Sequence, residues 1–281
     1  MRRAPGQSFD KAVLLALAAQ SHRFVRAAWQ VTGGALALKR LDKRSDGVEL
    51  YGSVVDIKHT ALHLDLVAGH PHDSLDEIRT KVVAEASAAV EGDRSICRVQ
   101  ECEMGNLVAD AMLDRVKDQG VSIAIANSGG IRASLEPGEV TMGEVLTILP
   151  FQNTLSTFEI SGEGVVAALE NGVSQVEEVK GRFPQVAGLK FTWDPSVAPN
   201  EGRVQEVMVA EGDGYVAIDP AKTYVVVTNN YVRNGGDGYK MFAGDDKNAY
   251  DFGPDLADVL AEYLAEQGPY TPYTDGRISQ K

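Results

Sequence analysis

Val121-Ser-Ile-Ala-Ile-Ala-Asn-Ser-Gly-Gly-Ile-Arg132 is a short apolar run with β-branched residues that breaks at a glycine turn. This is the pattern of a strand running into a loop whose backbone needs the freedom of glycine. Upstream, Leu107, Met112, Leu113 and Val116 recur at helical spacing and predict a helix over 104–117 stopped by Gly120. Downstream, Thr141-x-x-Glu144 is a capping box. Its helix must end before Pro150, because proline disfavours helical geometry in the residue ahead of it, and Phe151 thereby falls on a helix-to-strand corner. Alternation predicts a strand over 155–161, Ser161 can cap a helix over 164–171, and 189–193, 204–210 and 224–228 read as further strands. A last helix over 254–267 starts with proline in its first turn, repeats Leu256, Val259, Leu260, Tyr263 and Leu264, and stops at Gly268. On the N-terminal side, Ser74-x-x-Glu77 is a capping box for a connector helix with Leu75, Ile78 and Val82 on one face, ended by Gly92. Helices and strands mingle without strict βαβ alternation, so the fold class is α/β or α+β, a mixed sheet with flanking helices.

A length of 281 residues allows one or two compact units. With 44% hydrophobic and 24% charged residues, collagen, coiled coil and wholesale disorder are excluded. The longest apolar stretch, AVLLALAA at 12–19, is far below the roughly 20 residues that cross a bilayer, so no membrane span is expected. Arg2 and Arg3 precede that stretch as in an export signal, while Ser8-Phe-Asp-Lys ahead of it equally reads as the start of a capped amphipathic helix. Net charge is 27 − 40 = −13. Residues 1–72 hold 10 Lys/Arg and 6 Asp/Glu, leaving 17 and 34, so the two parts carry +4 and −17. All five histidines also fall before residue 73, which puts the domain boundary there: an N-terminal segment 1–72 and a domain 73–281. The acidic field argues against a nucleic-acid polymer as partner, and any phosphate cleft must be built from local arginines.

Cys97 and Cys102 are the only cysteines, with four residues between them. Two ligands cannot close a structural zinc site and the spacing is not C-x-x-C, which leaves two buried thiols or a short disulfide worth roughly 2 kcal/mol. Asn127-Ser-Gly-Gly-Ile-Arg132 sets a glycine turn at a strand end with an arginine beyond it, where backbone amides and a guanidinium can meet an anion. The plainer alternative is a tight turn with a solvent-facing Arg132. In Asn230-Tyr-Val-Arg-Asn-Gly-Gly-Asp-Gly-Tyr239 the glycines leave Asp237 on a loop near Tyr231. A carboxylate beside an aromatic suits a ribose and its base, and a hairpin with a core tyrosine is the structural alternative. With no histidine after residue 72, that part has neither a His-based triad nor a His-rich metal site. Gly69-His-Pro-His72 lacks the supporting Asp/His/Asn set and reads as a loop.

Six stretches in series, Cys97-Arg-Val-Gln-Glu-Cys-Glu-Met-Gly-Asn-Leu-Val-Ala-Asp-Ala-Met112, Asn127-Ser-Gly-Gly-Ile-Arg132, Leu149-Pro-Phe-Gln-Asn153, Phe183-Pro-Gln-Val-Ala-Gly-Leu189, Asn234-Gly-Gly-Asp-Gly-Tyr239 and Asp275-Gly-Arg-Ile278, resemble the C-terminal domain of the 5′-nucleotidase family. The resemblance covers about residues 74–280. It implies a two-domain phosphohydrolase in which an N-terminal metallophosphoesterase domain holds two divalent metals and the C-terminal domain binds a nucleotide or nucleoside of the AMP or adenosine kind. Carried over position by position, the base would lie between Phe151 and Tyr231, with Asn153 as a further base contact. Asn127, Gly129 and Gly130 would form the turn beside it, Asp237 would hold the ribose, and Arg98 and Arg132 the anion. Stacking on such rings contributes on the order of 1–3 kcal/mol. One departure is Tyr231, where many members have Phe.

The larger departure is upstream, where the family's Asp-x-His, Asn-His-Glu or Asn-His-Asp, and Gly-His-x-His motifs are missing; Ser21-His22 matches at most the tail of the last. The resemblance therefore implies the substrate-recognition half of a nucleotide-catabolising hydrolase, with no catalytic residue, metal or cofactor in this chain and no hydrolysis by it alone. It further implies a Cys97–Cys102 disulfide and a periplasmic or extracellular location. Two alternatives remain: a stand-alone, non-catalytic nucleoside-binding module, and a relative acting on 2′,3′-cyclic nucleotides or UDP-sugars, or a sulfur-oxidation thiohydrolase relative.

Overall fold

The structure, a computed structural model, describes residues 27–32, 35–40, 55–56, 71–244 and 247–281. The readings of the N-terminal apolar run, of Ser21-His22 and of the Gly69-His-Pro-His72 side chains lie outside the described residues. The chain divides into two units, Met1–Leu75 and Asp76–Lys281. In the first, strands β1 (Ala27–Thr32), β2 (Ala35–Arg40) and β3 (Val55–Asp56) form an antiparallel sheet in the order β1-β2-β3, with Ala27 opposite Arg40 and Thr32 opposite Ala35.

Helix α1 (Pro71–Thr80) leads into the second unit. It starts at a proline, whose missing N–H is no loss in the first turn, so Ser74 lies inside the helix and does not open it. The helix also ends earlier than its sequence suggests. Val82 begins strand β4 (Val82–Ala86), because the β-branched pair Val82-Val83 outweighs the helix-forming Ala84, Glu85 and Ala86 once a partner strand is available. Gly92 is not its stop. A Cβ there would run into the Ala133 carbonyl, so the glycine permits a close backbone approach.

Helix α2 (Arg94–Cys97) is a single turn capped by Asp93, whose Oδ1 accepts from the Ser95 amide at 2.7 Å. Then come α3 (Glu103–Arg115), β5 (Ile123–Asn127), β6 (Gly138–Thr141) and α4 (Met142–Ile148). The Thr141/Glu144 capping box is formed as read. Strand β7 (Leu155–Ser161) and helix α5 (Gly162–Val173) follow, the latter capped by Ser161. After them run β8 (Pro184–Ala187), β9 (Leu189–Trp193), β10 (Val204–Glu211), β11 (Gly214–Ala217) and β12 (Thr223–Asn229). The chain closes with α6 (Asn230–Arg233), α7 (Leu256–Gln267) and β13 (Ile278–Gln280). Asp255 caps α7, so Pro254 stands before the helix rather than in its first turn.

The mixed sheet is ordered β7-β12-β5-β8, with β12 parallel to β5 and the other neighbours antiparallel; β4 and β6 pair separately. Strand side chains alternate between faces, and β5 uses both. Ala124 and Ala126 are small enough to let α3 and α7 pack closely, in a core with Leu107, Met112, Leu260 and Leu264. Ile123 and Ile125 point into a second core with Phe158, Leu169, Phe183 and Trp193, shared with α5 and with the sheet β11-β10-β9-β13. The result is a layered α/β unit. The C-terminal strand is locked by buried Arg277, which bonds Asp110 at 2.7 Å, Asp275 at 2.9 Å and the Val186 carbonyl at 3.0 Å.

Candidate functional site

Strands β5, β7 and β12 of the mixed sheet deliver the site residues at their ends. Asn127 is the last residue of β5, and Asn229 the last of β12. Both are buried, and buried amides need partners. Asn229 caps α6 through its Oδ1, which accepts from the Val232 amide at 2.9 Å, and its Nδ2 donates to Asn127 Oδ1 at 2.9 Å. Asn127 Nδ2 then donates to Asp237 Oδ2 at 2.7 Å. The Tyr231 hydroxyl donates to Asp237 Oδ1 at 3.0 Å and accepts from the Asp237 amide at 3.2 Å. Partial burial first, and then the Asp237 charge, raise the Tyr231 phenol above its ordinary pKa, so it keeps its proton near neutrality.

The glycines around Asp237 follow from this geometry. Asp237 itself has φ 52°, a left-handed conformation that is unfavourable for residues other than glycine. The Asn171 amide, donating to its carbonyl at 3.2 Å, helps hold it. Gly236 lies against the Tyr231 ring, since a Cβ would sit 2.6 Å from Cε1 and Cζ. Gly238 combines φ 85° with contact to Asn171 and Arg182. No larger residue fits either place without displacing the loop.

Phe151 and Tyr231 are both half-exposed. Their segments are strapped together: the Asn230 amide donates to the Thr154 carbonyl at 2.8 Å, and the Thr154 amide to Asn230 Oδ1 at 3.3 Å. Among the described residues the two rings do not contact each other. The Arg132 guanidinium lies over the Phe151 ring, 5.6 Å from its centroid. Asn153 belongs to the same turn, its carbonyl accepting from Leu256 at the head of α7.

The glycine turn after β5 contributes something other than free amides. The Ser128 and Gly129 amides donate to the Phe183 and Gly181 carbonyls at 2.9 and 2.7 Å, and that of Ile131 to Ser128. Gly129 and Gly181 nearly touch: a Cβ on Gly181 would sit 2.7 Å from the Gly129 Cα, and one on Gly129 3.0 Å from that of Gly181. These three amides are therefore engaged within the protein, and the turn also makes a close approach, with Gly130 beside Asn127.

The cationic side rests on the disulfide. Cys97 and Cys102 are joined, with Cα atoms 5.1 Å apart, and both are buried. Buried Gln185 clamps the loop between them, its Nε2 donating to the Cys97 and Gln100 carbonyls at 2.8 Å each and its Oε1 accepting from the Cys102 amide at 3.3 Å. Arg98, on that loop, donates to the Val179 carbonyl at 3.3 Å, while its buried Nε has no partner among the described residues. Burial first, and then the charges of Arg132 and Arg94, lower its pKa, with Asp237 opposing. The like charges of Arg132 and Arg94 thus act on Arg98, a repulsion that an anion would relieve.

The structure accordingly joins Asn127 and Tyr231 to Asp237 by hydrogen bonds and sets Arg98 in the field of Asp237 and Arg132. Residues the sequence reading missed are Arg94, Asn171, Arg182 and Asn229. Arg182 bonds Asn171 Oδ1 and Ser174 Oγ, each at 3.1 Å, and its carbonyl accepts from buried Tyr239. Arg94 had a local signal, one helical turn before Arg98. Among the described residues no three His, Cys, Asp or Glu converge as a metal site, so this donor set does not fit a dimetal centre. Nor is any described helix long and apolar enough to cross a membrane.

Comparison with known proteins gives the family of the chain. Residues 82–244 match the family model described as 5′-nucleotidase, C-terminal domain, and the chain belongs to that family. A trifunctional nucleotide phosphoesterase of Bacillus subtilis is 39% identical over 215 residues, 74% of this chain and 14% of that protein. Human 5′-nucleotidase is 30% identical over 217 residues, 73% of this chain and 38% of it. The crystal structure of a 5′-nucleotidase precursor from Thermus thermophilus superposes with a TM-score of 0.71 at 34% identity, covering 88% of this chain and 50% of that one. The chain spans less than half the length of such curated relatives.

Proposed function

We propose that the second unit binds a nucleoside 5′-phosphate of the AMP kind and serves as the recognition half of a nucleotide phosphohydrolase. The base stacks on Phe151 and Tyr231 with Asn153 at its edge, the ribose diol bonds Asp237, and the phosphate meets Arg98, Arg132 and Arg94. The observation that carries this reading is the convergence of a fixed carboxylate, an exposed aromatic and an arginine cluster in a chain of net charge −13. A base needs flat apolar faces, a diol needs carboxylate acceptors, and a phosphate needs guanidinium donors.

Hydrolysis by this chain alone is not expected, because two-metal chemistry requires a His/Asp/Asn donor set that the described residues do not assemble. The Cys97–Cys102 disulfide supports an oxidising compartment, periplasmic or extracellular. Calorimetric titration with AMP and adenosine, run beside an AMP hydrolysis assay with added Mn²⁺ or Zn²⁺, tests the reading. Binding without turnover is the expected result. Turnover abolished by substituting His70 or His72 would overturn the non-catalytic assignment, and absence of binding would overturn the site.

A further inference from the structure

The Tyr231 hydroxyl does work that stacking does not require. A phenyl ring at this position would present the same flat face and lie equally well against Gly236. The hydroxyl instead engages Asp237 twice, donating to Oδ1 at 3.0 Å and accepting from the backbone amide at 3.2 Å. Asn127 takes the other carboxylate oxygen at 2.7 Å. An ionised carboxylate offers about four lone-pair directions, so after these contacts each oxygen retains one, and the carboxylate can no longer turn freely. Two fixed acceptors side by side suit the two hydroxyls of a vicinal cis-diol, whereas a single hydroxyl could use only one of them. The backbone of Asp237, left-handed at φ 52°, is held in place by the same amide contact.

We propose that Tyr231 is a positioning residue for diol recognition: its hydroxyl aims the Asp237 carboxylate and so sets the preference for ribonucleosides over sugars lacking the 2′,3′-diol. This rests on the nucleoside reading above and deepens it. Freed of the hydroxyl, Asp237 would keep its charge and its bond to Asn127 but would have to be ordered by the ligand, a cost charged to binding of diol ligands alone.

The test is Tyr231→Phe in the 281-residue chain, titrated calorimetrically with adenosine and with 2′,3′-dideoxyadenosine, with thermal melts of both proteins. The variant should bind adenosine about fivefold more weakly, the size of one neutral hydrogen bond, and dideoxyadenosine within about twofold of the parent. An unchanged ratio of the two affinities overturns the inference and leaves the nucleoside site standing. A parallel loss for both ligands also overturns it, because it would mark the hydroxyl as merely structural. No adenosine binding by the parent would remove the nucleoside reading and this inference together. Asp237→Ala is the second arm: it should erase the preference for adenosine, and a preference that survives would show that the diol is read elsewhere.

Discussion

At the Asp237 end of the site both carboxylate oxygens already accept hydrogen bonds, from Asn127 and Tyr231, and Asn229 and Asn171 buttress them. At the Arg98 end a buried Nε has no partner among the described residues, and the like charges of Arg132 and Arg94 outweigh that of Asp237. One end is arranged for direction and the other for charge. A pre-set carboxylate selects by shape, since its geometry costs nothing at the moment of binding. A set of guanidiniums, exposed at Arg94 and Arg132 and partly buried at Arg98, attracts by field, and its effect falls with ionic strength. The two ends also draw their rigidity from different sources: the first from side-chain amides at strand ends, the second from a disulfide loop clamped by Gln185.

That difference can be broken from either side. The largest effect should come from Gln185→Ala, which removes three hydrogen bonds to the disulfide loop and should lower unfolding stability by about 3 kcal/mol at roughly 1 kcal/mol each. Urea denaturation measures this, and in protein that remains folded AMP affinity should fall while the preference for ribose over deoxyribose persists. Next, Arg132→Ala should weaken AMP by about 2 kcal/mol and adenosine by much less, as expected of a charge-assisted bond to the phosphate. The gap between the two ligands should narrow as salt is raised, and a salt-independent gap would contradict the field picture. Phe151→Ala should cost both ligands equally, on the order of 1–2 kcal/mol by calorimetry, through lost stacking.

The smallest effect concerns a charge outside both ends. A side-chain hydrogen bond from buried Arg203 holds Glu177 below the usual carboxylate pKa. Because its folded value is depressed, its contribution is present above the unfolded value, near 4.5, and is lost as pH falls through the folded one. Glu177 is largely exposed, so Glu177→Gln should cost under about 0.5 kcal/mol at pH 7. The difference should disappear in denaturation curves recorded well below pH 4.5.

Much of this was legible in sequence where the signal is local. The capping box at Thr141, the alternation of β7 and the bounds of β9 are set by residues within a few positions of each other, and all three formed as read. The β4 strand was hidden because Ala84, Glu85 and Ala86 favour helix on their own, and only pairing with β6 overrides them. Strand β8 was hidden by Pro184, which is tolerated as the first residue of an edge strand. In the site, Phe151, Asp237 and the arginines were named through motifs. Asn229, Asn171 and Arg182 act across separations such as the 102 residues between Asn229 and Asn127, for which no local spacing exists. The glycine turn was located correctly, but the partners of its Ser128 and Gly129 amides were not legible, because a sequence does not say where an amide's hydrogen bond goes.

The central claim, that one site joins the two ends, is tested most directly by a crystal structure of the chain grown with saturating AMP. The account predicts adenine between Phe151 and Tyr231, both ribose hydroxyls within hydrogen-bond distance of Asp237, and the phosphate against Arg98 and Arg132. A nucleotide bound elsewhere, or one whose phosphate points away from the arginines while its sugar leaves Asp237 untouched, would contradict it.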